Sequence, residues 1–224
     1  MTANRQILLD QIPQGKLGPE HFRLAEAEAP SPGEGEVLLR TRYISLDAAN
    51  RAWMQGATYR SALNAGQVMA GGALAEVVES RAPHLAKGDL VFADTGWQDY
   101  AALPARHLEK LPMAEPMTHM MSVYGVAGLT AYYGLLECGK PKAGDTVVVS
   151  AAAGSVGSIV GQIAKIKGCR TVGIAGGAAK CAVLTTKLGF DEAVDYKAGD
   201  TRRALRAACP DGIDVYFDNV GGDV

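Results

Sequence analysis

The sequence has few residues of the kinds that build metal centres or disulfide frameworks. Its 224 residues include four cysteines and four histidines. The cysteines are Cys138, Cys169, Cys181 and Cys209, and they form no C-x-x-C pair. The histidines form no spaced cluster with Cys or Glu either. We therefore predict that the protein has no metal site, and that its cysteines are reduced packing residues in a cytoplasmic protein.

The sequence also lacks a strong net charge and long apolar segments. The formal net charge is −2, which gives no electrostatic basis for binding nucleic acid or an anionic membrane. No apolar run approaches the length of a membrane span, and the first residues lack the apolar core of a signal peptide. With 48% hydrophobic and 21% charged residues, the composition is that of a globular protein with a substantial core.

Acidic residues are absent from one long stretch, between Thr146 and Phe190. Basic residues do occur in the same stretch, so its local charge is positive. These basic residues are Lys165, Lys167, Arg170, Lys180 and Lys187. A region of this kind favours a ligand that carries phosphate groups.

A phosphate-binding pattern lies within this stretch. A β-branched run, Val147–Val149, stops at small residues. From Ser155, apolar residues follow with the spacing of one helix face, and the last of them is Ile166. The turn resembles G-x-G-x-x-G, with Ala152 in the first glycine's place and Gly154 and Gly157 in the others. Such a turn aims free backbone N–H groups and the positive end of a helix at a phosphate. A tight turn without a ligand is the alternative interpretation.

The residues at the end of the next predicted strand distinguish an NAD site from an NADP site. In an NAD site, an acidic residue about twenty residues after the glycine turn binds the ribose 2′-hydroxyl. This chain has Ala175, Gly176 and Gly177 there, followed by Lys180. We therefore predict NADP(H), with Lys180 as the partner of the 2′-phosphate. A solvated lysine in the first turn of a helix is the alternative for this residue.

The order of the predicted elements indicates two domains. Residues 1–117 alternate short strands with Gly/Pro turns, which is typical of a compact, largely β domain. Residues 118–224 begin with helical spacing and continue as a βαβ series, in which Asp200 is expected to cap a helix that runs through Ala208. The fold class is thus α/β. Only four strands of the parallel sheet are present, against about six in a complete fold, so we expect the second half of this domain to be missing.

Several stretches together resemble the zinc-free medium-chain dehydrogenase/reductases, in particular the prostaglandin reductase and curcumin reductase group. The resemblance runs almost end to end. The matching stretches are Ser45-Leu46-Asp47 with Arg51 and Trp53-Met54, Gly96–Tyr100, Gly128-Leu129-Thr130-Ala131-Tyr132, Ala151–Gln162, Leu188–Asp191, Asp195-Tyr196-Lys197 and Asp218-Asn219-Val220-Gly221-Gly222.

The resemblance implies a GroES-like β domain followed by a Rossmann-type nucleotide domain, with NADPH in the cleft between them. The reaction would be reduction of the C=C bond of an α,β-unsaturated ketone or aldehyde by hydride transfer to the β-carbon. Carried over by motif, the pyrophosphate would lie against Gly154, Ser155, Val156 and Gly157. The 2′-phosphate would bind to Lys180 and Tyr196, and Thr130 and Asn219 would contact the cofactor. For Tyr196, packing at the end of a strand is the alternative.

The chain departs from the family pattern at a proposed proton donor. The family's loop reads SLDPYMR, and its tyrosine is Ala49 here. Tyr59 is the candidate donor that remains, because it follows the loop expected to face the cleft. A surface tyrosine is the alternative for this residue, and the cofactor's ribose hydroxyl could donate the proton instead. The family's dimer commonly uses later strands, so a homodimer is expected only if the missing part is present.

Two other functions remain open from the sequence. One is an NADPH:quinone reductase of the same superfamily, because the Gly128–Tyr132 stretch does not distinguish enones from quinones. The other is a protein that binds NADPH without catalysis, which the absence of the loop tyrosine favours.

Overall fold

The computed structural model of the chain describes residues 2–58 and 60–222. The chain forms two compact units, and the boundary between them falls between Thr118 and His119. Each unit has its own sheet and its own buried apolar clusters. The α/β class and the mixed β and parallel-sheet architecture predicted from the sequence are confirmed.

The first unit is built from antiparallel strands. Its strands and its one α-helix are β1 (Ala3–Leu9), β2 (Phe22–Glu28), β3 (Glu36–Ile44), α1 (Ala48–Gln55), β4 (Ala73–Ser80), β5 (Leu90–Ala93) and β6 (Tyr100–Pro104). Strands β1 and β2 form a two-stranded ribbon, and the other four form a sheet in the order β5-β4-β3-β6. Short 3-10 segments occupy Pro19–His21 and Ala105–His107.

Alternation of side chains along the central strands creates the core of the first unit. Val37 and Leu39 of β3 and Val77 of β4 are fully buried and belong to one apolar cluster. Residues two apart on a strand point to the same face of the sheet, so this pattern assigns one face to the core. A second cluster contains Leu9, Met54 and other apolar residues.

The second unit is built from parallel strands and helices. A 3-10 segment occupies Met117–Met120 at the boundary. The elements that follow are α2 (Val126–Tyr133), which continues as a π-helical segment (Gly134–Gly139), β7 (Thr146–Val149), α3 (Ser155–Ile166), β8 (Arg170–Ala175), α4 (Ala178–Lys187), β9 (Glu192–Asp195), α5 (Thr201–Ala208) and β10 (Val215–Phe217). The predicted βαβ series is therefore confirmed.

The parallel sheet has the strand order β10-β7-β8-β9. The chain runs outward from β7 to β9 and then returns through α5 to place β10 on the other side of β7. Strand order therefore reverses between β7 and β10. In open α/β sheets, ligands bind at the carboxyl ends of the strands beside such a reversal.

Both faces of the parallel sheet are covered. Val147 and Val149 of β7 pack in a cluster that includes residues of α2, α3 and α4, whereas Val148 packs in a cluster that includes residues of α5. Because successive side chains point to opposite faces, a strand buried on both sides reads as an uninterrupted apolar run. This explains the Val147–Val149 run.

Glycines allow α3 to lie close to its neighbours. A Cβ at Gly173 of β8 would be 2.7 Å from Leu184 Cδ1 and 2.8 Å from the Cβ of Ala152. Gly161 of α3 has the ring of Phe190 where its own side chain would lie. The side chains of Leu184, Ala152 and Phe190 thus pack directly against the backbone at these two glycines.

Two sequence predictions about burial are wrong. Ile166 fits the predicted apolar face of α3, but its side chain is 83% exposed. It is the last residue of the helix, whereas Val160 and Ala164, earlier in the helix, are buried. Cys138, predicted to be a packing residue, is exposed in the π-helical segment, whereas Cys169 and Cys209 are buried and Cys181 is half-buried.

None of the helices in the described part of the chain combines the length and apolar character of a membrane-spanning segment.

Candidate functional site

The first loop of the candidate site connects β7 to α3. Ala151 has a left-handed backbone with φ of 45°, and the N–H of Gly154 donates to its carbonyl at 2.8 Å. Helix α3 begins at Ser155, and no side chain caps it. The first N–H groups of a helix have no intrahelical partner. The amides of Ser155, Val156 and Gly157 can therefore bind an anion at the positive end of the helix.

Gly157 is required by the close approach of α3 to this loop. A Cβ at this position would lie 2.5 Å from the carbonyl oxygen of Ala151 and 2.8 Å from the Cα of Ala152. Both are backbone atoms, and Ala152 is held in place by its N–H, which donates to the carbonyl of Ile174 at 3.0 Å. At Gly154 an added Cβ would be 3.0 Å from the same Ala151 oxygen.

A cavity of about 260 Å³ lies at the carboxyl edge of the parallel sheet. Residues from the connections after all four strands line it. In chain order they are Ala151, Ala153, Gly154, Ile174, Ala175, Gly176, Lys180, Tyr196 and Val220. The cavity thus contains the glycine turn together with two predicted partners of a phosphate, Lys180 and Tyr196. A larger groove of about 620 Å³ along β9 and α5 contains none of the predicted site residues.

Lys180 and Tyr196 reach the cavity from neighbouring loops. Lys180 is exposed in the first turn of α4, and it forms no ion pair within residues 2–58 and 60–222. Tyr196 follows β9, and its ring is 44% exposed. A Cβ at Gly176 would lie 2.8 Å from this ring. Glycine at position 176 therefore provides the space that the tyrosine occupies.

Asp195 ties these two loops together. Its Oδ1 accepts hydrogen bonds from the backbone N–H of Gly177 at 2.8 Å and of Lys197 at 2.9 Å. The bond from Gly177, followed by that from Lys197, holds the pKa of Asp195 below its usual value. The sequence analysis assigned no role to this carboxylate.

A second carboxylate fixes the loop after β10. Ser150, fully buried, donates from its hydroxyl to Asp218 Oδ1 at 2.7 Å and accepts from the N–H of Asn219 at 2.7 Å. The Asn219 side-chain amide donates to the Ser150 carbonyl at 2.9 Å. Asp218 also accepts from the N–H groups of Val220 and Gly221. The Ser150 bond, with these backbone bonds, lowers the pKa of Asp218.

Two protein families match the sequence. The family described as the N-terminal domain of oxidoreductase matches residues 5–111. The family described as zinc-binding dehydrogenase matches residues 155–224. These two matches fall in the antiparallel and the parallel unit, respectively.

The chain is 49% identical to a putative NADP-dependent oxidoreductase, YfmJ, of Bacillus subtilis, over 100% of this chain and 67% of that protein. The chain belongs to the medium-chain dehydrogenase/reductase family. It is 48% identical to the NADPH-dependent curcumin reductase of Escherichia coli, over 99% of this chain and 65% of that protein. This chain therefore spans about two thirds of the length of these curated relatives.

A solved member of the same family has a closely similar fold. The crystal structure of CurA from Vibrio vulnificus in complex with NADPH superimposes with a TM-score of 0.89 at 45% identity. The match covers 98% of this chain and 66% of that one. The GroES-like and Rossmann-type assignment of the two sheets is thereby confirmed.

Thr130 and Asn219, both predicted from the family's motifs, are not among the residues that line the cavity. Thr130 of this medium-chain dehydrogenase/reductase is exposed on α2, where its hydroxyl donates to the carbonyl of Val126 at 2.7 Å. Tyr59, the candidate proton donor, lies outside the described residues.

One matching family is described as zinc-binding, which makes the arrangement of metal-ligating residues in this chain relevant. Within the described ranges, the His, Cys, Asp and Glu side chains form no group of three that could hold a metal ion. The residues in these ranges therefore do not fit a metal centre.

Sequence reasoning missed Ser150, Gly176, Asp195 and Asp218 as parts of the site. Their contacts in the structure are with the loops themselves, whereas the ligand-binding patterns assign roles to neighbouring residues. Asp195 and Asp218 do carry a sequence signal, since each directly follows or ends a predicted strand at the edge where ligands bind.

Proposed function

We propose that the cavity at the carboxyl edge of the parallel sheet binds NADPH. The observation that carries this proposal is the joint position of Lys180, Tyr196 and the glycine turn around one cavity. The absence of acidic residues from Thr146 to Phe190 favours a 2′-phosphate over a 2′-hydroxyl. The named cofactor of the curcumin reductase relative supports the same choice.

The residues of the site fit the cofactor. The first amides of α3, those of Ser155, Val156 and Gly157, would hold the pyrophosphate, and the missing side chains at Gly154 and Gly157 leave space for close approach. Lys180 would bind the 2′-phosphate through a charge-assisted hydrogen bond, with Tyr196 beside it. Thr130 and Asn219 are proposed to contact the cofactor on the strength of the family's motifs alone.

We further propose that the protein to which this chain belongs reduces the C=C bond of α,β-unsaturated ketones or aldehydes. NADPH, when bound, supplies the hydride that is added to the β-carbon of the substrate. The protein must orient the substrate and offer a hydrogen-bond donor to its carbonyl oxygen, on which negative charge develops. Tyr59 is the proposed proton donor.

A titration of the purified 224-residue protein with NADPH and NADH, followed by nicotinamide fluorescence, tests the cofactor site. We expect NADPH to bind at least about tenfold more tightly, because its 2′-phosphate adds a charge-assisted hydrogen bond. Equal affinities would contradict the assignment of the 2′-phosphate to Lys180. No binding of either cofactor, by this chain or by the longer protein, would contradict the cofactor site itself.

The substrate class is tested separately by comparing an enone, an enal and a quinone as oxidants of NADPH. The proposal predicts higher kcat/KM with the enone and the enal than with the quinone. The reverse order would assign the protein to the quinone reductases of the superfamily. NADPH binding without turnover of any of them would favour a non-catalytic binding protein.

The remaining predictions concern where the protein occurs and whether it assembles. We propose a cytoplasmic location, which its four free thiols support. We also retain homodimerisation of the longer protein as a prediction, which sedimentation of that protein would test.

A further inference from the structure

Asp195 links the two loops that carry the proposed partners of the 2′-phosphate. Its carboxylate accepts from the N–H of Gly177, the N-cap residue of α4, and from the N–H of Lys197, in the loop after β9. The next residue, Tyr196, donates its own N–H to the carbonyl of Ala175 at 3.2 Å. The loops after β8 and β9 are thus joined by hydrogen bonds in both directions.

The link matters because, in the described part of the chain, no side chain forms a capping hydrogen bond at the start of α4. Gly177 has φ of 100°, a conformation that L side chains rarely adopt, and no side chain caps the helix. The N–H of Lys180 donates to the carbonyl of Gly177 at 3.1 Å. A bond to the Gly177 amide therefore fixes the first turn of the helix, in which Lys180 lies. A flexible glycine without this bond would leave that turn free to move.

The same carboxylate determines where the Tyr196 ring lies. Tyr196 directly follows Asp195, and its ring occupies the space above Gly176. When Oδ1 binds both flanking amides, the backbone of residues 195–197 is held against the Gly176–Gly177 turn. Lys180 and Tyr196 are therefore kept at a fixed separation.

A carboxylate near a phosphate would otherwise oppose binding by charge repulsion. Here one oxygen of Asp195 is used by two backbone amides. Asp195 then contributes to cofactor binding by accepting these hydrogen bonds and not by contact with the ligand. A neutral side chain with an oxygen in the same place should perform the same role.

We propose that Asp195 is the positioning residue that sets the preference for NADPH over NADH, by fixing the β8 and β9 loops so that Lys180 and Tyr196 hold the 2′-phosphate together. The inference rests on the proposed function of the cavity.

Two substitutions of similar size test this role. Asp195→Asn keeps an oxygen acceptor, whereas Asp195→Leu removes it. We expect D195L to raise the Kd of NADPH about tenfold, because a charge-assisted bond to the phosphate is lost, and to change the Kd of NADH less than about twofold. D195N should stay within about threefold of the wild type for both cofactors, since it keeps the hydrogen bonds.

Asp200→Leu is the matched control. Asp200 lies in the same connection and caps α5, where Oδ1 accepts from the N–H of Arg203 at 3.0 Å. It does not line the cavity. D200L removes a comparable hydrogen bond and should lower the unfolding temperature without changing the ratio of the two Kd values.

Equal weakening of NADPH and NADH by D195L would overturn the proposal, as would a D195N variant that binds like D195L. If D195L does not fold, amide hydrogen exchange of the wild type gives the answer. NADPH should slow the exchange of the Gly177 and Lys197 amides more than NADH does, and equal slowing would overturn the proposal. If the wild type binds NADPH and NADH equally well, the proposed NADPH site is itself contradicted. The proposed role of Asp195 then fails with it.

Discussion

The hydroxyl of Ser150 donates a 2.7 Å hydrogen bond to Asp218 Oδ1 and thereby joins the carboxyl ends of β7 and β10. These strands are neighbours in the sheet although 68 positions separate the two residues. The pair lies where strand order reverses, which is the position of ligands in open α/β sheets. Its integrity should therefore matter for stability and for the shape of the cavity.

Ser150→Ala removes this bond and also leaves the Asn219 N–H without its acceptor. Because Ser150 is fully buried, we expect the free energy of unfolding to fall by about 1–3 kcal/mol, measured by urea denaturation. Thr186→Ala is the control, since it removes an exposed hydroxyl bond to the carbonyl of Ala182. A loss no greater than that of T186A would show that the Ser150 bond does not hold the two strand ends.

The same substitution should change the titration of Asp218. Its pKa is lowered in the folded protein, first by the Ser150 bond. A lowered pKa stabilises the fold above the unfolded value of about 3.9, and this stabilisation is lost as the pH falls through the folded value. We expect S150A to raise the pKa of Asp218, measured by carboxyl ¹³C NMR. Above about pH 5, the ionised Asp218 should then contribute less to the free energy of unfolding in S150A than in the wild type.

A methyl group at position 157 should displace α3. Gly157→Ala puts a Cβ 2.5 Å from the Ala151 carbonyl oxygen, and this backbone atom cannot move aside cheaply. We expect a loss of about 1–3 kcal/mol in unfolding free energy and weaker binding of both cofactors. Ser158→Ala, one residue later on the same helix, is the control and should bind as the wild type does. Normal binding by G157A would contradict the close contact.

The charge of Lys180 should affect the Kd of NADPH and not that of NADH. Lys180→Ala removes a charge-assisted hydrogen bond worth about 1.5–3 kcal/mol, so the Kd of NADPH should rise roughly tenfold or more. The Kd of NADH should barely change. Lys187→Ala, at the other end of α4, is the control and should change neither value. Equal losses for both cofactors would assign Lys180 a structural role.

Local sequence patterns determined most of the second unit. The Val147–Val149 run, the glycine turn and the apolar spacing after Ser155 predict β7, its turn and α3 to within a residue. They succeed because period and turn chemistry are local properties. Asp200 likewise caps α5 as predicted, because a cap depends on residues three apart.

The burial of side chains was harder to predict from the sequence than the secondary structure. Ile166 matches the apolar face of α3 and Cys138 belongs to a residue type that is usually buried, yet both are exposed. Whether an apolar side chain is covered depends on how far the neighbouring element extends. That extent is a property of the packed structure and not of the local pattern.

The sequence by itself determined which groups are available at the candidate site: the backbone amides of a glycine turn, the charged amine of Lys180, and no acidic side chain between Thr146 and Phe190. Only the tertiary structure decided which groups meet. It brought Tyr196 over Gly176, tied Asp195 to Gly177, and joined Ser150 to Asp218 across 68 positions. These contacts arise because parallel strands place their carboxyl ends at one edge, whatever their separation along the chain.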